Sequence, residues 1–365
     1  MGTATVLSAM IRACVRLQEL SRTVLSVPLL KRALRIFIIL WCVEANLCVG
    51  PLGCPIGKAV VQRYPFRCPT KHSEEKGKRY TDALGRSLYA FSLALKDTNV
   101  TACLRNIRPD IGKIRAYWSD CDENANKCAS LLAVSDEAKA IYIAYGGTTT
   151  KEQMSMELVN GFGAQLGAWE KFESSEAGVV SYFHKVFYKV FIDSGMKDEL
   201  LSLNKKYPAH RIWITGHSMG ASLASMTALY LSKKQLIDKN LLRLITFGEP
   251  RTGNVAYARD VEENIEFRYR VVKRNDFIAS IPRSVDPTTS LITATMFERQ
   301  PLFYRYLVHY DNNMSKGTDF KVCDLSDDFG CRNTMLAFDL IDHMSYFNIN
   351  SDDFLAKKCP REMLF

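Results

Sequence analysis

The sequence predicts an α/β fold, a central and mostly parallel sheet covered by helices on both faces. Three observations carry this. Short apolar runs of strand length alternate with helix-length amphipathic stretches along the chain. One of those runs, residues 211–215 (Arg-Ile-Trp-Ile-Thr), passes through Gly216-His217-Ser218-Met219-Gly220 straight into a helix-forming stretch. No internal repeat, low-complexity tract or composition break marks a second globular domain, and 365 residues suffice for one large domain with extensions.

Taken in order, residues 1–45 read as a targeting extension. Arg12, Arg16, Arg22, Lys31, Arg32 and Arg35 precede the apolar run 36–43, and Val43-Glu44-Ala45 has the small-residue character of a cleavage site. Glu44 cuts the run too short for a spanning helix. This is a signal-peptide pattern with a long n-region or a later translation start; the alternative is an uncleaved anchor in the secretory pathway. Residues 46–75 form a connector, and residues 76–365 the folded domain.

Within that domain, residues 80–95 predict a helix, with Leu84, Leu88, Phe91, Leu93 and Leu95 supplying its apolar face. Strands are expected at 114–118, 129–134 and 138–144, the last leading into Tyr145-Gly146-Gly147-Thr148. A long helix is expected over 179–203, interrupted at Gly195. After the strand at 211–215 come a helix at 221–231 and strands at 242–247 and 267–272.

Composition narrows the function. The formal net charge is +9, but no basic stripe is interleaved with aromatics and no zinc-finger spacing occurs, which argues against nucleic-acid binding. A mild attraction to anionic lipid surfaces is compatible with the charge. His72, His184 and His210 show no ligand spacing, so no metal site is expected. Eleven cysteines fit an oxidising compartment, as do two sequons at Asn99 and Asn313.

The chemistry centres on Ser218. In a sharp strand-to-helix turn, Gly216 and Gly220 leave room at the flanks and Ser218 stands at the tip. The helix that follows aims its positive end at developing negative charge. A serine hydroxyl needs a base within hydrogen-bond reach, and the base needs an orienting carboxylate. After Ser218 the remaining histidines are His309 and His343. The polar loop after the strand at 267–272 carries Asp276, with Asp286 an alternative farther on. Ser218, Asp276 and His343 give the order nucleophile, acid, base. On this reading His217 points away from the reacting atoms and packs, and Asp342 is solvated or caps a helix.

Several segments then resemble one family in order. Residues 341–347 (Ile-Asp-His-Met-Ser-Tyr-Phe) look like the segment around the catalytic histidine of fungal-type class 3 lipases. Residues 246–254 (Thr-Phe-Gly-Glu-Pro-Arg-Thr-Gly-Asn), 270–282 and 143–148 resemble three further segments of that family. The resemblance, which covers residues 80–359, implies an α/β-hydrolase fold, nucleophile Ser218, acid Asp276 and base His343. It also implies oxyanion donors in the backbone N–H groups of Met219 and Thr148, with the Thr148 hydroxyl assisting. Three departures stand out. Tyr145-Gly146-Gly147 replaces the usual Phe-Arg-Gly, Ala221 replaces a common Gly, and Ala279 stands where Pro often follows the acid.

The implied activity is a secreted serine ester hydrolase, a lipase acting on acylglycerols at a lipid–water interface, without cofactor or metal. Peripheral contact with a membrane or lipid-droplet surface is compatible with this. The alternatives are a phospholipase or soluble carboxylesterase on the same scaffold, or a non-catalytic lipid-binding protein. The family commonly bridges the equivalents of Cys103 and Cys359. Cys121 with Cys128, and Cys323 with Cys331, bracket polar loops and form two further candidate pairs, free thiols being the alternative. Cys48, Cys54 and Cys68 are an odd set with no assigned pairing. The family also places a mobile helix after the oxyanion loop, where Met154, Leu158 and Val159 make the apolar face of a lid candidate over residues 151–161.

Overall fold

The computed structural model describes residues 79–122, 126–148, 160–161, 163, 168–174, 176–282, 300–324, 326, 331–332 and 339–365. The targeting segment, the connector with its three cysteines, Asp286 and the lid candidates Met154, Leu158 and Val159 lie outside these residues.

Helix α1 (Asp82–Ala94) begins at Thr81, whose hydroxyl accepts the Leu84 N–H, and α2 (Val100–Ile107) begins at Asn99, which caps Ala102 in the same way. The strands are then β1 (Lys113–Asp120), β2 (Lys127–Ser135) and β3 (Ala140–Tyr145), followed by the two-residue β4 (Glu170–Lys171) and β5 (Gly178–Val179). Helix α3 (Ser181–Phe187) runs on through a π-helical turn to Asp193. Gly195, at φ 78°, breaks it before α4 (Met196–Lys206). The expected interruption at Gly195 is present. The expected start at 179 is not, because Val179 pairs with Gly253 instead.

Next come β6 (Arg211–His217), α5 (Met219–Lys233), β7 (Leu242–Phe247), β8 (Gly253–Asn254), α6 (Val255–Asn264) and β9 (Phe267–Lys273). The chain closes with β10 (Pro301–Leu302), β11 (Leu307–Tyr310), β12 (Lys321–Cys323), α7 (Leu340–Met344) and α8 (Ser351–Ala356). Eight strands make the main sheet in the order β1-β2-β3-β6-β7-β9-β11-β12. From β3 to β11 neighbours run parallel, and the outer pairs are antiparallel. A second sheet, β10-β8-β5-β4, is antiparallel.

Strands β3, β6 and β7 are largely apolar on both faces, as a sheet covered on both sides requires. Ile141, Ile143 and Tyr145 of β3, Ile212 and Ile214 of β6, and Leu242 and Leu244 of β7 face the core under α3, α4, α5 and α6. The alternate residues Tyr142, Ala144, Ile245 and Phe247 face the core under α1, α2 and the C-terminal segment. Cys103–Cys359 fastens α2 to that C-terminal segment, and Cys121–Cys128 and Cys323–Cys331 close two local loops. Among the described residues, no helix is long and apolar enough to cross a membrane.

This topology puts the loops after β3, β6, β7 and β9 at one edge of the parallel sheet, the edge where α/β folds build their sites.

Candidate active site

Ser218 joins β6 directly to α5. Its backbone sits at φ 59°, ψ −128°, a conformation a non-glycine residue adopts only under constraint. The turn is tight enough to dictate its flanks. A Cβ on Gly216 would lie 2.0 Å from the Gly220 carbonyl oxygen, and one on Gly220 would lie 2.4 Å from that of Gly146. The second value shows why the pair matters: the start of α5 is pressed against the loop after β3. Met219 is the first residue of α5, and Gly147, one residue before Thr148, packs against the Ser218 turn, where a Cβ would lie 3.3 Å from Ser218 Cβ.

Helix α7 delivers His343 to this edge. Its Nε2 is 2.8 Å from Ser218 Oγ, and its Nδ1 is 2.9 Å and 3.0 Å from the two oxygens of Asp276. Asp276 lies in the turn after β9, whose last residue is Lys273. All three side chains are buried. With Nδ1–H donating to the carboxylate, Nε2 is left to accept the serine proton. Gly248, at φ 58°, follows β7 and faces this pair. A Cβ there would sit 2.9 Å from both Asp276 Oδ2 and His343 Cε1.

The carboxylate is strongly held as an anion. Tyr346 donates its hydroxyl to Oδ2 at 2.7 Å, and the Ala279 N–H donates to Oδ1 at 3.2 Å. Burial pushes the Asp276 pKa up, but His343, its hydrogen bond and the Tyr346 hydroxyl outweigh it. The net result is down to about 2. Ala279 is the family departure noted above, and it has a chemical consequence: a proline there has no N–H to give.

Sequence reasoning missed several neighbours. Arg332, buried, donates to the Asp276 carbonyl at 2.6 Å, to the Ala279 carbonyl at 2.9 Å and to the Ser280 hydroxyl at 3.0 Å. It clamps the acid's loop from outside, and burial pushes its guanidinium down to about 10. Its one local signal was its place beside Cys331. Tyr346 was visible within the quoted segment, but without a role. Glu249, also buried, accepts from Ser225, Thr246, Thr252 and Tyr304 and ties α5 to the loop after β7.

Two expectations change. Asp342 is neither solvated nor a cap. It is buried, accepts the Asn275 N–H at 3.1 Å and faces Lys273 Nζ at 3.5 Å. Residues 339–342 run beside the acid's loop, with Asp276 bridged to Asp339, so Asp339 takes the helix cap and Asp342 the brace. His217 does pack, but not away from the site: its Nε2 is 2.9 Å from the carbonyl of His343. His309 is not at the serine; its Nε2 lies 3.3 Å from the Arg274 carbonyl.

Chemically, a hydroxyl hydrogen-bonded to an imidazole that is itself aligned by a carboxylate is an activated nucleophile. Residues 142–285 match the family described as Lipase (class 3). The chain is 26% identical over 313 residues to Lipase ZK262.3 of Caenorhabditis elegans, covering 79% of this chain and 85% of that one. It is 26% identical over 195 residues to a secreted mono- and diacylglycerol lipase of Fusarium solani, covering 53% and 50%. A fungal lipase–inhibitor complex, solved as a model for interfacial activation, superposes with a TM-score of 0.55 at 22% identity, covering 74% of this chain and 97% of that one.

Proposed function

The chain belongs to the class 3 lipase family and is a serine ester hydrolase of the α/β-hydrolase fold, and from that premise we propose that it cleaves acylglycerol esters through a Ser218–His343–Asp276 triad and a covalent acyl-enzyme. The observation that carries the proposal is the unbroken chain of short contacts from Ser218 Oγ through His343 to Asp276.

In the first half-reaction Ser218 Oγ attacks the ester carbonyl carbon as His343 Nε2 takes the hydroxyl proton. The carbonyl oxygen becomes an oxyanion held by the N–H groups of Met219 and Thr148, with the Thr148 hydroxyl assisting. The C–O bond then breaks, His343 returns the proton to the departing alcohol, and Ser218 remains acylated. Water repeats the sequence and releases the fatty acid. Asp276 keeps the imidazole in the useful tautomer and stabilises its transient charge.

The proposal extends to a secreted enzyme working at a lipid–water surface. It is supported by the secreted Fusarium solani relative, by interfacial activation in the fungal structure, and by the disulfides. Asn99 and Asn313 are exposed, and each uses its side-chain oxygen in a hydrogen bond, with Ala102 N–H and Arg274 respectively. The amide nitrogen that would carry a glycan is the other atom.

A panel of emulsified triglyceride, phospholipid vesicles and a soluble short-chain ester, run with wild type and Ser218→Ala, tests the reading. Turnover of the triglyceride that vanishes in the variant is expected. Equal turnover in both proteins would end it.

A further inference from the structure

His343 sits on a helix of five residues, Leu340–Met344. So short a helix closes barely one backbone turn and cannot hold its own orientation. Its catalytic ring must therefore be fixed by contacts from outside. Asp276 fixes one ring nitrogen and Asp342 braces the turn. A third contact, from His217, reaches the backbone of His343 itself.

The geometry is specific. His217 Nε2 is 2.9 Å from the His343 carbonyl oxygen, so the imidazole is the donor. The two rings stack, with centroids 4.6 Å apart and planes 28° from parallel. Tyr89 and Tyr346 close on His217 edge-on, at 5.6 Å and 5.4 Å. On its far side His217 meets the loop that leads to Thr148. A Cβ on Gly147 would lie 3.1 Å from the His217 carbonyl oxygen and 3.3 Å from its Nδ1. The ring is thus wedged between the two parts of the site that must agree in position.

Resting on the triad reading above, we infer that His217 is a positioning residue. Its Nε2–H pins the carbonyl of His343, its ring floors the catalytic imidazole, and its backbone seats the loop carrying the Thr148 oxyanion donor. Base and oxyanion donor are set relative to one another by one residue. Burial holds His217 well below the usual imidazole range, with His343 and Lys96 acting in the same direction against Asp276. A neutral ring can lie face to face with the imidazolium that forms on His343 during turnover, whereas a second cation would oppose it.

The test uses the full chain and a soluble p-nitrophenyl ester, with Ser218→Ala as reference. His217→Phe keeps a flat ring and loses the donor; His217→Gln keeps a donor of similar reach. In the folded Phe variant kcat should fall roughly tenfold or more with KM within about twofold, since a displaced base costs the chemical step and not binding. His217→Gln should recover kcat to within roughly threefold of wild type. His217→Met, which has the length of Gln without its donor, makes the same comparison if phenylalanine is not accommodated. Wild-type kcat in the donor-free variants, or a Gln variant no better than they are, overturns the inference while an inactive Ser218→Ala leaves the triad standing. An active Ser218→Ala overturns the triad instead.

Discussion

Tyr346 donates its hydroxyl to Asp276 Oδ2 at 2.7 Å, the same oxygen that lies 2.9 Å from His343 Nδ1. The phenol is fully buried, so its hydrogen bond is not replaced by water when lost. Tyr346→Phe should cost about 1–3 kcal/mol of stability and several-fold in kcat, because a buried carboxylate loses a donor. Chemical denaturation and ester kinetics on the same preparation read both. Unchanged values would mean that Ala279 and His343 alone hold the acid.

Replacing Ala279 with proline isolates the second donor. Its φ of −71° suits a proline ring, so the main loss at that residue is the N–H that reaches Asp276. Ala279→Pro should lower kcat by a factor of about 3–10, whereas Ala279→Ser should not. Equal activity in both variants would remove this N–H from the account.

The depressed pKa of Asp276 makes a statement about acid stability. A carboxyl whose folded-state value lies below its unfolded one stabilises the fold above the unfolded value and loses that contribution as pH falls. For Asp276 the window runs from the ordinary carboxyl value of 3.8 down to about 2, and the contribution is about 2 kcal/mol. Denaturant midpoints from pH 5 to 2 should fall less steeply in Asp276→Asn than in wild type. Parallel curves would remove Asp276 as a source of acid sensitivity.

Members of a triad act as a unit. His343→Ala should cost about as much turnover as Ser218→Ala, Asp276→Asn somewhat less, and the Ser218→Ala/His343→Ala double variant no more than either single one. Rates on a soluble ester, with phosphonate labelling to count intact nucleophiles, decide this. Multiplicative losses in the double variant would assign the two residues to separate tasks.

Peptide mapping without reduction should recover Cys103 with Cys359, Cys121 with Cys128 and Cys323 with Cys331. Removing the first bond should cost most, on the order of 5 kcal/mol by chain entropy, because it closes the longest loop. Alkylation of these six cysteines as free thiols in native secreted protein would contradict both the bonds and the secretory reading.

The residues legible in the sequence were those with local signatures. Ser218 sits in a strand–turn–helix whose glycines are two residues away on either side, and Asp276 is the one acid in the polar loop that follows the strand Phe267–Lys273. What stayed hidden depended on distance along the chain. Arg332 reaches Asp276 across 56 residues, Tyr346 across 70, and His217 reaches His343 across 126. No period or motif encodes such meetings; the sheet order creates them. Strand β5 was absorbed into a helix for a similar reason. Two residues are too few to show an alternation, and their partner is β8, where Gly253 lets the backbones approach. The apolar runs of β3, β6 and β7, each separated from the next by helix-length stretches, place the sheet without any partner being known.

The Cys103–Cys359 bond also changes the chain's topology. Everything between the two sulfurs is a covalent ring, and Ser218, Asp276 and His343 all lie on it. A protease that nicks one exposed loop inside the ring would yield two chains held by the disulfide, with all three proposed triad residues still attached, a single band until reductant is added. Whatever is joined ahead of α1 is a tail on the ring and not part of it. Such a tail can be trimmed, exchanged or fused to a carrier without opening the circle on which the chemistry sits.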